Sequence, residues 1–505
     1  MAALKLSFVI RSRFACRSNV VLLRDHFLRH FRPPVLWATL GLLLPWVTFC
    51  PAMGQQPAPI AAPKATGTAA PSEAAIALVN EGNSLLARND FVAAASAYQK
   101  AVEDDPAYAE AHRGLGIALW RQGRLAQAWQ ELSKVTRLEP NSAQAHYELG
   151  QLAWRISSGF SGDTAAVTGL SSGDFRALAL SEAEKAASLD RRNFEMRLTL
   201  AEIELDSGRK TEAQADALGA ISLAASAADR ARALIVLARA YFASGDEVRA
   251  EAEYTKAIQE NPSNGEAYFG LGQLALFQQD SGRAQKYFSQ AIQASPDLAP
   301  AYAALGKLLI QRQQRGEALA MLQKAVALDP GDFESRFELG KLLMESGDAA
   351  RAKEMFAKIA AERPDFLPAG EQLALINLRQ GNVQGAIAQA QALVARNPHA
   401  AEGHRVLALA YWRDHQTDMS LAECAQALAA DPSSVSMLSL QALELWQTKA
   451  RKEAQRVLRE AAHSDPSILS PVAFCRQIVC SADDITVVDN FLRQNRWVLE
   501  PADAQ

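Results

Sequence analysis

The sequence predicts an all-α solenoid of stacked antiparallel helical hairpins, and three observations carry that prediction. Pro262, Pro296, Pro330, Pro364, Pro398, Pro432 and Pro466 follow one another at intervals of 34 residues. Within each interval apolar residues recur three and four apart, first over one stretch of about a dozen residues and then over a second. Each interval also repeats one order of side chains, clearest in Tyr268, Leu271, Gly272, Ala284, Phe288 and Ala291 before Pro296. A fixed period of this size outranks any local motif as a guide to the fold, because one such unit cannot bury its apolar face alone.

Length and charge fit that reading. An array in which each unit touches only its neighbours can use most of 505 residues without dividing into ordinary globular domains. The formal net charge of −4 argues against a general nucleic-acid binder. The charge is also uneven: residues 1–54 carry Lys5, Arg11, Arg13, Arg17, Arg24, Arg29 and Arg32 against Asp25 alone, which leaves an acidic body.

In chain order, the basic segment precedes an apolar run at 35–49 and then Cys50, Pro51, Ala52, Met53 and Gly54. Positive, apolar and small residues in that order read as an export signal cut before Gln55, or as a retained membrane anchor at 1–54. Pro45 and the short apolar run favour the cut segment, and the positive-inside bias puts the body outside the cytoplasm in both cases. Cys50 does not fit a lipoprotein signal, because bulky Phe49 stands where a small residue is needed. Residues 55–74 are rich in Ala, Pro, Gly and Thr and read as a disordered linker. Export and spacer together fit a bacterial envelope protein.

The array is expected over 75–466, with about eleven hairpins. Pro106 and Pro140 are two further rungs of the ladder, preceded by Gly82 and Tyr98 and by Leu115, Gly116 and Leu132. A third unit begins at His146, Leu149 and Gly150 and is interrupted at 155–175 by a Gly/Ser-rich insertion without helical period. A fourth unit at about 194–228 lacks the usual glycine and proline and rests on the spacing of Leu198, Leu200 and Ile203. From Ala231 the pattern is regular. Proline closes each regular unit, since its ring blocks the carbonyl four residues back and it has no N–H. Gly272 and Ala284 let two helices approach, with Phe288 filling the gap. Residues 467–505 leave room for a helical cap but not for a catalytic domain.

The repeat length and the order of large, Leu-Gly, Ala, aromatic, Ala and Pro positions resemble the tetratricopeptide repeat family over about 75–466. The departures are the insertion, the worn fourth unit, and Ala374, Ala408 and Ala442 in place of glycine. The resemblance implies that the first helix of every hairpin lines a concave groove for a peptide or protein segment. By register that groove receives Trp120, Tyr147, Trp154, Phe242, Phe269, Phe337, Trp412 and Trp446, with Arg113, Arg239, Lys307, Lys341 and Arg405 among them. Aromatic and cationic anchors of this kind dominate interface energetics, although aromatics also pack simply between hairpins. The carboxylate clamp of some family members is not expected, because Val79, Asn83 and Gly114 stand at the relevant places and only Asn83 matches.

Other candidates are weighed against plainer roles. The 155–175 insertion, with Phe160, Val167 and Leu170, reads as a solvated loop or as a flap over the groove. Cys475 and Cys480 could pair in an oxidising compartment if the helix breaks between them; otherwise they are two buried thiols. Cys424 falls where Phe288 and Phe356 stand and reads as core. His112, His146 and His404 occupy the place of Tyr268 and Tyr302 and read as packing residues rather than metal ligands. Catalytic, cofactor and metal sites are not expected: no nucleophile stands in register with a base, no glycine loop cradles phosphate, and no Cys/His spacing suits a metal.

The expected function is therefore a non-catalytic protein-interaction scaffold outside the cytoplasm that binds a peptide or protein segment in its concave groove, in envelope assembly, secretion or polysaccharide export. Its partner is a protein or peptide, no nucleic acid is expected, and membrane contact runs only through the N-terminal segment. The alternatives are an RNA-binding helical-repeat protein, which needs a positive groove, and the regulatory subunit of an enzyme complex.

Overall fold

A computed structural model describes residues 70–158, 169–480 and 484–495. The N-terminal segment, most of the linker and the centre of the insertion, including Phe160 and Val167, lie outside the described residues. Every regular element among the described residues is helical, and none is long and apolar enough to cross a membrane.

The described residues fall into two compact units, divided between Ala186 and Ala187. The first holds α1 (Glu73–Ala87), α2 (Phe91–Asp104), α3 (Ala109–Arg121), α4 (Leu125–Leu138), α5 (Ala143–Ser158) and α6 (Ser172–Leu189), whose last residues pass the boundary. The second continues with α7 (Phe194–Asp206), α8 (Lys210–Leu223), α9 (Ala227–Ala243), α10 (Glu247–Glu260), α11 (Gly265–Phe277) and α12 (Ser281–Ala294). Next come α13 (Ala299–Gln311), α14 (Arg315–Leu328), α15 (Phe333–Glu345), α16 (Ala349–Glu362), α17 (Leu367–Arg379) and α18 (Val383–Arg396). It closes with α19 (Ala401–Arg413), α20 (Thr417–Ala430), α21 (Val435–Gln447), α22 (Arg451–Ser464), a short 3-10 helix (Pro466–Leu469), α23 (Pro471–Ile478) and α24 (Asp484–Gln494). Helices α1 to α22 are eleven successive hairpins.

The hairpins close as the pattern requires. A Cβ on Gly272 would stand 2.5 Å from the Phe288 ring, and one on Gly340 would stand 2.7 Å from Phe356, so only glycine admits these aromatics. Where alanine replaces glycine at Ala374 and Ala408, the facing register positions hold the smaller Ala390 and Cys424, all fully buried. In every hairpin except the interrupted α5–α6 one, the turn between the two helices holds one left-handed residue. Glycine takes that place at Gly123, Gly208, Gly245, Gly347 and Gly381, and Asn89, Gln279, Gln313, His415 and Lys449 take it elsewhere. Many second helices then start on a side-chain cap, as where Asp280 accepts from the Arg283 N–H at 2.9 Å.

Three sequence expectations shift. Helix α1 starts inside the expected linker because the Ser72 hydroxyl accepts the Ala75 N–H at 2.9 Å and caps it. The insertion is shorter than 155–175: α5 runs on to Ser158 and α6 begins at Ser172. The reason is apolar, since Ile156 and Phe175 are both fully buried and Phe175 packs edge-on against Trp129 at 5.9 Å. The fourth unit is a complete hairpin despite its worn sequence, with Ala201, Ala213, Ala217 and Ala220 buried between α7 and α8.

Candidate partner-binding groove

Within the units several first helices of successive hairpins lie against one another. Helix α1 meets α3; in the second unit α7 meets α9, α9 meets α11, α17 meets α19 and α19 meets α21. No comparable packing joins successive second helices among the described residues. The first helices of each unit thus share one side of it, the wall to which the register assigns the groove.

The predicted groove cations stand on this wall, and the structure gives each an acid. Arg113 Nε donates to both carboxylate oxygens of Glu148, at 2.9 and 2.8 Å, from one hairpin to the next. Arg405 Nε donates to Glu371 at 3.0 Å in the same manner. Lys307 reaches Glu334 at 2.9 Å, Arg239 lies 3.8 Å from Asp206, and Lys341 pairs with Glu338 of its own helix at 2.9 Å. Glu148 and Glu371 are buried. Burial pushes the Glu371 carboxyl above its ordinary value despite Arg405, and burial takes Glu202 up to about 7 against the pull of Arg239. The wall is thus neutralised from within, by ion pairs that tie neighbouring hairpins together.

The predicted aromatics divide. Phe269 is buried against Phe288 with ring centres 5.7 Å apart, Trp412 is buried, and Phe337 packs on Phe356 and Phe366 at 5.5 and 5.1 Å. Trp446 lies 5.5 Å from Phe491 of α24, so the chain's own C-terminal helix covers it. Trp120, Tyr147 and Trp154 are half-buried, and Gln151 donates to the Tyr147 hydroxyl at 2.7 Å. Phe242 stands edge-on to Phe277 at 5.4 Å, and Phe277 is 57% exposed. The candidates therefore form no single cluster.

Sequence reasoning missed Phe277 and the pairing acids. Both were within reach, since Phe277 follows Leu276 at the end of α11 and Glu148 and Glu371 lie one repeat from their arginines.

The three histidines act as links. Nε2 of His112, His146 and His404 donates to the carbonyls of Pro106, Pro140 and Pro398 at 3.0, 2.9 and 3.0 Å. Nδ1 of each faces Glu131, Glu182 or Glu423 on the second helix, at 2.6, 2.5 and 2.6 Å. Tyr302 donates to the Pro296 carbonyl at 3.1 Å from the same register. Among the described residues no three potential metal ligands gather. Cys424 is buried, which pushes its thiol well up. Cys475 and Cys480 are joined as a disulfide with Cα atoms 4.8 Å apart. The helix break between them is Val479, whose φ of 55° and ψ of 49° are left-handed.

Among curated proteins none matches the chain. Solved structures similar to it include a tetratricopeptide repeat protein from Parabacteroides merdae, 17% identical with a TM-score of 0.45, covering 54% of this chain and 100% of that one. Another is pilF of Pseudomonas aeruginosa, 20% identical with a TM-score of 0.33, covering 46% of this chain and 96% of that one. A third is yeast Tom70, 15% identical with a TM-score of 0.33, covering 85% of this chain and 97% of that one. One tetratricopeptide repeat family model matches residues 79–136, 198–265 and 372–435, and a second matches 242–308 and 309–374. Together they cover more than half of the chain, and repeats of this kind make protein-interaction scaffolds. The chain belongs to the tetratricopeptide repeat family.

Proposed function

We propose that this protein is an exported, non-catalytic scaffold that holds an extended segment of another protein along the first-helix wall. The observation that carries this reading is the Phe242 and Phe277 pair: two aromatic rings on consecutive first helices, one of them 57% exposed. Large exposed apolar side chains on a rigid wall favour a partner's apolar side chains, and the internal ion pairs fix that wall before binding. The same pairs weigh against RNA, because the predicted groove cations are already matched by carboxylates. Export rests on the basic and apolar residues of 1–54.

The test is site-specific photo-cross-linking in cells. A photoreactive residue at Phe277 is expected to capture one protein, and the same residue at exposed Lys286 on the second helix none. Equal labelling from both places, or an RNA adduct, overturns the groove. N-terminal sequencing of the mature chain is expected to begin at Gln55, and a start at Met1 with the chain in the cytoplasmic fraction overturns export.

A further inference from the structure

The C-terminal cap is held at one point by unusual backbone geometry. Helix α23 ends at Ile478 because Val479 turns left-handed, and this reversal places the Cys480 N–H on the Cys475 carbonyl at 3.0 Å. A left-handed conformation is unfavourable for any non-glycine residue and most of all for a β-branched one. On the other side of the turn, the Val479 carbonyl accepts from Arg413 of α19 at 3.3 Å. The same guanidinium nitrogen lies 2.7 Å from Asp484, the first residue of α24. Phe491 of α24 then covers Trp446 and meets Phe474 of α23 at 5.7 Å. Arg413 thus meets both the disulfide turn at Val479 and the start of α24 at Asp484, and Trp446, a groove candidate by register, lies beneath Phe491 of α24.

We propose that the Cys475–Cys480 disulfide is a redox latch that keeps the cap docked on Arg413 and over Trp446. A dithiol reductant opens it. Its thiolate attacks the sulfur of Cys480, the less buried of the two, and Cys475 leaves as a thiolate that takes up a proton. The reductant's second thiol then displaces Cys480 as a thiol. Two electrons pass to the protein and the reductant becomes a disulfide. With the covalent bond gone, the Cys480 to Cys475 backbone hydrogen bond, the Arg413 contact and the packing of Val479 on the core are what remain to oppose its relaxation out of the left-handed region. That relaxation draws the Val479 carbonyl and Asp484 away from Arg413, and α24 leaves Trp446.

The latch needs no partner and does not depend on the groove. The experiment is hydrogen exchange by mass spectrometry on the full chain, oxidised and after dithiothreitol. Reduction is expected to speed exchange in 484–494 at least tenfold and to leave the hairpins at 265–294 unchanged. Val479→Gly, which takes the left-handed turn without penalty, is expected to keep 484–494 protected even when reduced. Equal exchange in oxidised and reduced wild type overturns the latch. So does loss of protection throughout the second unit, which makes the disulfide a general staple, or a Val479→Gly chain that opens as the wild type does.

Discussion

The hairpin of α11 and α12 and the hairpin of α21 and α22 share one register and solve the same packing problem differently. The first closes on Gly272 against Phe288 and buries only apolar side chains and glycines along α11. The second has Ala442 at the glycine position and buries Ser439 and Glu444 as well. Glu444 falls where Leu274, Leu308 and Leu342 stand in other hairpins, fully buried, with both carboxylate oxygens unpartnered. The nearby Ser420 hydroxyl, which holds the carboxyl down somewhat, donates to the Ala408 carbonyl at 2.8 Å. Burial takes the Glu444 carboxyl up to about 7. Register fixes the backbone of a repeat, and the polar content of its core is free to vary at a cost in stability.

The largest expected effect breaks the first hairpin. Gly272→Val forces a branched side chain into the Phe288 ring and should cost about 3 kcal/mol, read as local hydrogen-exchange stability of 265–294. Ala442→Gly in the second hairpin should cost only about 1 kcal/mol. A comparable loss at both places would remove the contrast between them.

Next, Glu444→Leu should stabilise the second hairpin by about 2 kcal/mol at pH 8, measured by urea denaturation. The carboxyl titrates near its ordinary 4.5 in the unfolded chain and near 7 in the folded one, so the folded state holds the proton between those values. The wild-type second hairpin should therefore be most stable below pH 4.5 and lose this contribution as the pH rises to 7. Glu444→Gln should flatten that dependence, and an unchanged slope would mean the carboxylate finds a partner when ionised.

A smaller gain is expected where the turn lacks glycine. Lys449→Gly, at the left-handed place occupied by Gly123, Gly208, Gly245, Gly347 and Gly381, should raise the second hairpin's stability by about 1 kcal/mol. The equivalent Gln279→Gly should do the same for the first, so this change leaves the contrast intact. The smallest expected effect is that of Phe277→Ala on stability, about 0.5 kcal/mol or less, because the ring is largely exposed. Its effect on partner cross-linking should be large, and that separation marks a binding residue.

Much of this was legible in the sequence. The 34-residue period sets the hairpins, the glycine and aromatic positions set their closure, and the prolines set the joins, because each follows from neighbours within one repeat. Helical periodicity even found the worn fourth unit, although it missed Ile156 and Phe175 at the edges of the insertion, where glycines and serines hid two isolated core residues.

The pairing of the candidate groove cations was not legible in the sequence. Arg113, Arg239, Lys307 and Arg405 stand on first helices, and their charge is matched by Glu148, Asp206, Glu334 and Glu371 on adjacent hairpins. The sequence by itself therefore determined the repeat, the hairpin and the side of each helix that turns inward, since periodic burial needs only local spacing. Tertiary structure alone decided which cations are neutralised, which aromatic remains open at Phe277, and how Val479, Arg413 and Asp484 dock the cap. Those outcomes depend on distances between residues 27 to 71 positions apart, which only the stacked helices bring within reach.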